Sequence, residues 1–421
     1  MKNCIRALLL LAMLSSMPNS AVFADDAPPA LSEWRSNIAA LLPMGELTQR
    51  LRDPSDPQLR QELYRLMYSQ IAQGYFALVY VDPQHPDFWP GFNQAFNLFA
   101  PNPDNAYYTS PIDDDGVYKI SGFRGSARVV GFNLGSGMKF KRATGALGPT
   151  LADYDIDEMH VNKKDGSFEF VLSPERPKAY TGDWRKLLPG TTSILIRQIS
   201  YDWAHEVDGR FAIERLDRAA IKPRASAEKI ADDLKLIAQW AEGWTAMELG
   251  WTQGMRDKGL TNKVIVTDIT SVGGLSTQKY IQGLFDLAAD EALILETEVP
   301  KQCLYWNIQL NDELLSMIDP LNRQTTLNGY SARLDRDGKF RVVISAQDPG
   351  VPNWLDNAGL GKGGIWGRWN KCSSYPTPAI TKVKVADVRK YLPADTPVVT
   401  AEARDAAIRA RRKAAQLRRR W

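Results

Sequence analysis

Between Gly116 and Glu214, apolar and polar positions alternate in "GVYKISG", "SARVVGFNL", "SFEFVLS" and "TSILIRQIS". A period of two with β-branched enrichment predicts strands. The pattern returns beyond Gly283 in "DEALILETEVP", "CLYWNIQL", "FRVVISAQ" and "GGIWGRW", and Ala379 to Val385 reads as a last strand. Between these stretches the period lengthens. From Ser226 to Lys258 the residues Ile230, Leu234, Ile237, Ala241, Trp244, Met247 and Trp251 recur at three- and four-residue steps behind a capping serine. That spacing predicts one long helix. Leu31 to Ala77 is also helical, with a break from Asp53 to Pro57. The passage that follows carries Pro83, Pro86, Pro90, Pro101, Pro103 and Pro111, which exclude long regular elements.

The two strand-rich stretches repeat one order. "KDGSFEFVLS" (Lys164 to Ser173) matches "RDGKFRVVIS" (Arg336 to Ser345), each an Asp-Gly turn followed by an alternating strand. Trp184 then corresponds to Trp354, Ile194 to Ile365 and Arg197 to Arg368, at a shift of roughly 170 to 176 residues. The expected fold is α+β and β-rich: two related antiparallel β-sandwich-like units, an N-terminal helical segment, and a helix between the units. The boundaries are 25–100 for the helical and loop segment, 101–220 for the first β domain, 221–265 for the connecting helix, 266–395 for the second β domain and 396–421 for a basic C-terminal helix.

Residues 1–24 have the form of a secretory signal: Lys2 and Arg6, an apolar core from Ala7 to Met13, and small residues ending at Ala24. No later run approaches the roughly 20 apolar residues of a membrane span. A periplasmic or secreted location follows as an expectation. Cys303 and Cys372 are then the cysteines left in an oxidising compartment, either disulfide-bonded or two buried thiols. His85, His160 and His205 are too scattered for zinc spacing, so neither a metal nor a cofactor is expected. The tail from Glu402 holds eight Lys or Arg against two acids, leaving a mildly acidic body that makes nucleic acid a poor partner. With little apolar face, the tail reads as a solvated helix. The alternative is weak contact with an anionic envelope surface.

Candidate chemistry clusters in two polar runs. "NPDNAYY" supplies Asn102, Asp104, Asn105 and Tyr107, donors and acceptors suited to a polyhydroxylated or oxyanionic ligand. The second run supplies Gln324, Asn328, Asn353 and Trp354, with Asp348 and Asp356 as a potential acid–base pair across a cleft. Against this, Asn and Asp also serve to satisfy loop backbone. Arg197 and Arg368 stand at equivalent positions in apolar strands, where a guanidinium needs a carboxylate or an anion; Asp348 or Asp356 is the expected partner of Arg368. Asp113-Asp114-Asp115-Gly116 reads as a turn, not a calcium loop. No nucleophile elbow, phosphate-binding glycine loop or Rossmann fingerprint is present.

"DEALILETEVPKQCLYWNIQLND", "RQTTLNGYSARLDRDGKFRVVIS", "DPGVPNWLDNAG" and the late "RW" resemble the bacterial domain-of-unknown-function family 1214. "NPDNAYYTSPIDDDGVYKISGFRG" is similar to the segment that often precedes it. The resemblance implies a β-rich envelope or secreted protein and adds weight to the two polar runs and Arg368, without giving them roles.

The expectation is therefore an exported protein that binds, and in its stronger form transforms, a small polar or carbohydrate-like ligand between two β units. Two alternatives stand beside it. One is a non-catalytic envelope structural or assembly protein. The other is a binder of aromatic or lipid-like compounds, with Trp240 and Trp244 lining its pocket. Oligomeric state is not legible in the sequence.

Overall fold

The computed structural model describes residues 29–136 and 148–418; the expected signal segment lies outside the described residues. Helix α1 (Pro29–Ala39) belongs to a small segment ending at Leu42. The rest of the chain, from Pro43, forms one compact body. There the Asp53–Pro57 break becomes a helix start. Asp56 accepts from the Gln58 and Leu59 amides, and Pro57 opens α2 (Pro57–Tyr75).

The described residues of the body form four four-stranded sheets. In chain order the first eight strands are β1 (Asn105–Pro111), β2 (Tyr118–Phe123), β3 (Val129–Gly135), β4 (Thr150–Asp155), β5 (Ser167–Ser173), β6 (Asp183–Lys186), β7 (Ser193–Ile199) and β8 (Arg210–Arg215). They form sheets β1-β7-β3-β4 and β6-β5-β2-β8. Helix α3 (Ala227–Asp257) intervenes, capped by Ser226 as its sequence predicts. Then come β9 (Lys263–Thr267), β10 (Gln278–Asp286), β11 (Glu291–Glu298), β12 (Cys303–Asn311), β13 (Thr326–Asn328), β14 (Lys339–Ser345), β15 (Trp354–Asp356), β16 (Lys362–Cys372) and β17 (Ala379–Lys384). Their sheets are β10-β16-β12-β13 and β15-β14-β11-β17, the first copy's orders with every strand displaced by nine.

Each pair of sheets closes on its own core. Tyr118, Ile120, Phe132, Phe170, Ile194 and Ile196 fill the first sandwich; Leu293, Ile308, Phe340, Val342, Ile365 and Trp369 fill the second. The repeat extends to detail. In both copies the pairing of the fifth strand with the sixth is parallel. Trp184 donates to Ser173 Oγ at 2.9 Å, and Trp354 donates to Ser345 Oγ at 3.0 Å. Cys303 and Cys372 sit opposite each other on β12 and β16 and are disulfide-bonded. Asp113 to Gly116 closes a turn, and Asp113 and Asp115 pair with the buried Arg215.

The C-terminal helix α4 (Ala401–Leu417) departs from expectation, because it is docked and not solvated. Of its apolar residues, Ala414 and Ala415 are buried, beside Trp203. Arginines do the remaining work. Arg404 is 7% exposed, reaches Asp348 and the Val351 carbonyl, and lies over Trp354 at 5.2 Å. Arg411 lies over Trp203 at 4.1 Å, and Arg418 reaches Asp208 and the Asp104 carbonyl. Long cationic side chains cover apolar surface with their stems, so a helix poor in Leu and Ile still buries a face. No helix among the described residues is long and apolar enough to cross a membrane.

Candidate functional site

The segment entering β1 joins the two sandwiches. Asp104 is 1% exposed and accepts from Trp203 Nε1 at 2.9 Å, Asn328 Nδ2 at 3.0 Å and the Tyr305 hydroxyl at 2.7 Å. Burial pushes its carboxyl up; the hydrogen bonds from Tyr305 and Asn328 and the nearby Arg411 and Arg418 pull against that. Asn102 donates to the Tyr305 hydroxyl at 2.8 Å and accepts from Asn307 at 3.1 Å. Asn102 and Asp104 are therefore spent, largely on partners in the second sandwich.

Beside this joint, the outer faces of sheets β1-β7-β3-β4 and β10-β16-β12-β13 enclose a cavity of about 100 Å³. Alternation along the strands sends Ile194 and Ile196 into the first core while Leu195, Arg197 and Ile199 face the cavity. On β16, Ile365 and Trp369 are core, and Trp366 and Arg368 face the cavity. The walls are equivalent positions of the two copies. Tyr107 lies opposite Arg197 in the β1–β7 register, as Tyr280 lies opposite Arg368 in the β10–β16 register. Asn105 and Gln278 occupy the matching position two residues earlier on β1 and β10. All six line the cavity.

The two guanidiniums are held by neutral groups. Arg197 Nη2 donates to the Gly273 carbonyl at 2.7 Å, and its buried Nη1 has no partner among the described residues. Arg368 donates to Gln309 Oε1 at 2.7 Å and to the Ala100 carbonyl at 2.8 Å. Between them, burial pushes the Tyr280 phenol up, while Arg197 and Arg368 pull it down. The buried oxygens of Asn105 and Gln278 and the Trp366 indole nitrogen are likewise unpartnered. No Asp, Glu, His or Cys stands among the described lining residues.

The aromatic wall is held by a strained turn. Phe99 and Ala100 both have positive φ, 53° and 49°, a region costly for residues with a Cβ. Three bonds hold them. The Phe99 amide donates to Glu248 Oε1 at 2.5 Å, the Ala100 amide to the Leu315 carbonyl at 2.7 Å, and Arg368 clamps the Ala100 carbonyl. Glu248 on α3 is fully buried, and desolvation pushes its carboxyl well above the ordinary range. The Phe99 ring meets Trp251 at 5.1 Å and Trp366 at 6.1 Å.

Of the expected site residues, Asn102, Asn105, Tyr107 and Arg368 line the cavity. The second polar run does not. Asp348 pairs with Arg404, and Asp356 with Arg323 at 2.6 Å, so they form no acid–base pair and neither is the partner of Arg368. Gln324 donates to the Pro352 and Trp354 carbonyls, Asn353 bridges the Arg333 and Arg341 carbonyls, and Trp354 serves Ser345. Asn328 serves Asp104. Trp240 and Trp244 are packed inside, and Gly74 of α2 makes room for Trp240, a Cβ there lying 3.0 Å from the indole. Gln278, Tyr280, Trp366 and Phe99 went unnoticed in the sequence. Extending the repeat back to β1 is the signal that finds the first two, since "NAYY" and "QKYI" then coincide.

Residues 285–362 match the model of a family described as "Protein of unknown function (DUF1214)". The match spans most of the second sandwich and stops short of Tyr280 on one side and Arg368 on the other. An uncharacterized protein from Burkholderia cenocepacia is similar at 28% identity and a TM-score of 0.77, over 85% of this chain and 98% of that one. The VPA0106 protein from Vibrio parahaemolyticus is similar at 13% identity and a TM-score of 0.44, over 78% of this chain and 99% of that one. No curated protein matches.

Proposed function

We propose that this member of the DUF1214 family binds a small polar molecule in the cavity between its two sandwiches, as an exported protein. The observation that carries the reading is the set of unspent polar atoms there. Asn105, Arg197, Gln278 and Trp366 each keep a buried hydrogen-bonding atom without a partner among the described residues, and all four line one cavity. Buried polar groups are ordinarily paired, and each left unmade costs about 1–3 kcal/mol, so convergent orphans mark where a ligand completes the set.

The lining supports binding over transformation. Its described residues offer phenols and hydroxyls, but no carboxylate, imidazole or thiol to carry a proton near neutral pH. Export is supported by the signal-like N-terminus and by the Cys303–Cys372 disulfide, which oxidising compartments preserve. The structural reading has its own support. Asn102, Asp104 and Asn328 form a buried joint between the sandwiches and are spent in it.

Native mass spectrometry of the mature protein, purified from the envelope fraction without refolding, tests the binding proposal. A reproducible extra mass, lost in Asn105→Ala, is expected. A clean apo mass, together with no thermal shift from a small-molecule screen, gives the structural reading precedence.

A further inference from the structure

The cavity's charge is more informative than its size. Two guanidiniums face it, one from each sandwich, and no acid stands among its described lining residues. Arg368 is 5% exposed and bonded only to a carboxamide and a carbonyl. Arg197 keeps a buried Nη1 unpartnered among the described residues. The two other arginines buried to the same degree among the described residues have carboxylates: Arg215 meets Asp113 and Asp217, and Arg404 meets Asp348. A buried cation without a counter-charge is costly, and a ligand anion removes that cost.

We infer that the cavity's ligand is a small hydroxylated organic carboxylate, its carboxylate lying against Arg197 and Arg368. This deepens the small-ligand reading above and rests on it. The carboxylate accepts from the free Nη1 of Arg197, and the planar fork of a guanidinium fits two carboxylate oxygens. Gln278 is 3% exposed, and its buried oxygen, like that of Asn105, lacks a donor. A hydroxyl donates to one of these oxygens, and it also accepts from the Trp366 indole. The apolar remainder lies against Phe99 and Trp366. The cavity's volume of about 100 Å³ exceeds what a single water needs, so small hydroxy acids are suitable probes. A carbohydrate without charge would leave both arginines uncompensated.

The experiment is calorimetric titration of the full-length mature protein with lactate, glycerate and malate, each against its neutral amide. At least one acid is expected to bind, with its amide at least 10-fold weaker. Arg197→Gln is expected to weaken the acid roughly 10- to 100-fold, the range for hydrogen bonds to charged groups. Arg197 carries a single described hydrogen bond, and an unchanged melting midpoint in the variant shows its fold is kept. The acid–amide comparison on the unaltered protein holds even if the variant fails to fold. Amides binding as well as acids, or acids binding equally to Arg197→Gln, overturn the anion assignment and leave the small-ligand reading standing. No binding by acid or amide overturns the assignment, and an apo mass in the native spectrum then removes the small-ligand reading as well.

Discussion

The Tyr305 hydroxyl donates to Asp104 Oδ2 at 2.7 Å across 201 residues of sequence. It ties the entry to β1 to the first half of β12, and both side chains are almost wholly buried. Tyr305→Phe keeps the ring and removes one donor from a buried carboxyl. The expected loss is about 1–3 kcal/mol in urea unfolding. A change under about 0.5 kcal/mol would mean that the joint is not under tension from this bond.

Glu248 gives the stability curve a predictable slope. Its folded pKa is raised above the unfolded value by desolvation. The protonated acid is thus favoured in the fold: its stabilisation is full below about 4.3 and is lost as pH rises through the folded value. Glu248→Gln keeps an acceptor for the Phe99 amide and does not titrate. Its stability relative to the native protein should improve steadily as pH rises from about 4, then level off. Parallel melting curves across that range would show that Glu248 does not titrate between the folded and unfolded states.

Reducing the Cys303–Cys372 bridge opens a loop with a sequence separation of 69. The expected cost is about 2–4 kcal/mol, mostly through the unfolded chain. Intact mass should rise by the two hydrogens of a reduced bridge only after reductant is added. Free thiols in the untreated protein would remove both the bridge and its support for export.

Arg404 holds α4 to the second sandwich through Asp348, Gln324 and the Val351 carbonyl. Arg404→Ala should speed amide exchange throughout Ala401–Leu417 and cost about 1–3 kcal/mol. Arg409 offers a control, since it pairs with Asp405 on the exposed side of the same helix. Its removal should stay within about 0.5 kcal/mol. Equal exchange in both variants would place the helix's anchorage elsewhere.

Period and turn chemistry made the longer alternating strands such as β5, β7, β12 and β14, the long α3 and the repeat legible, because each is a local pattern. The cavity was not, since it depends on which outer sheet faces meet, and alternation marks two faces without saying which covers which. Asp348 and Asp356 looked catalytic because acid, amide and tryptophan interleave there. Their partners, Arg404 and Arg323, lie outside that run, on the C-terminal helix and before β13. The tail misled for a related reason. Apolar counting misses a helix that docks through guanidiniums laid over Trp203 and Trp354.

The matched Tyr–Arg pairs carry a consequence for orientation. Two identical walls would admit a guest in either of two equivalent poses and so could not tell its ends apart. Here Leu195 on one wall corresponds in register to Trp366 on the other, and Asn105 to Gln278. Those inequalities lift the degeneracy. A guest with unlike ends would therefore meet two inequivalent orientations.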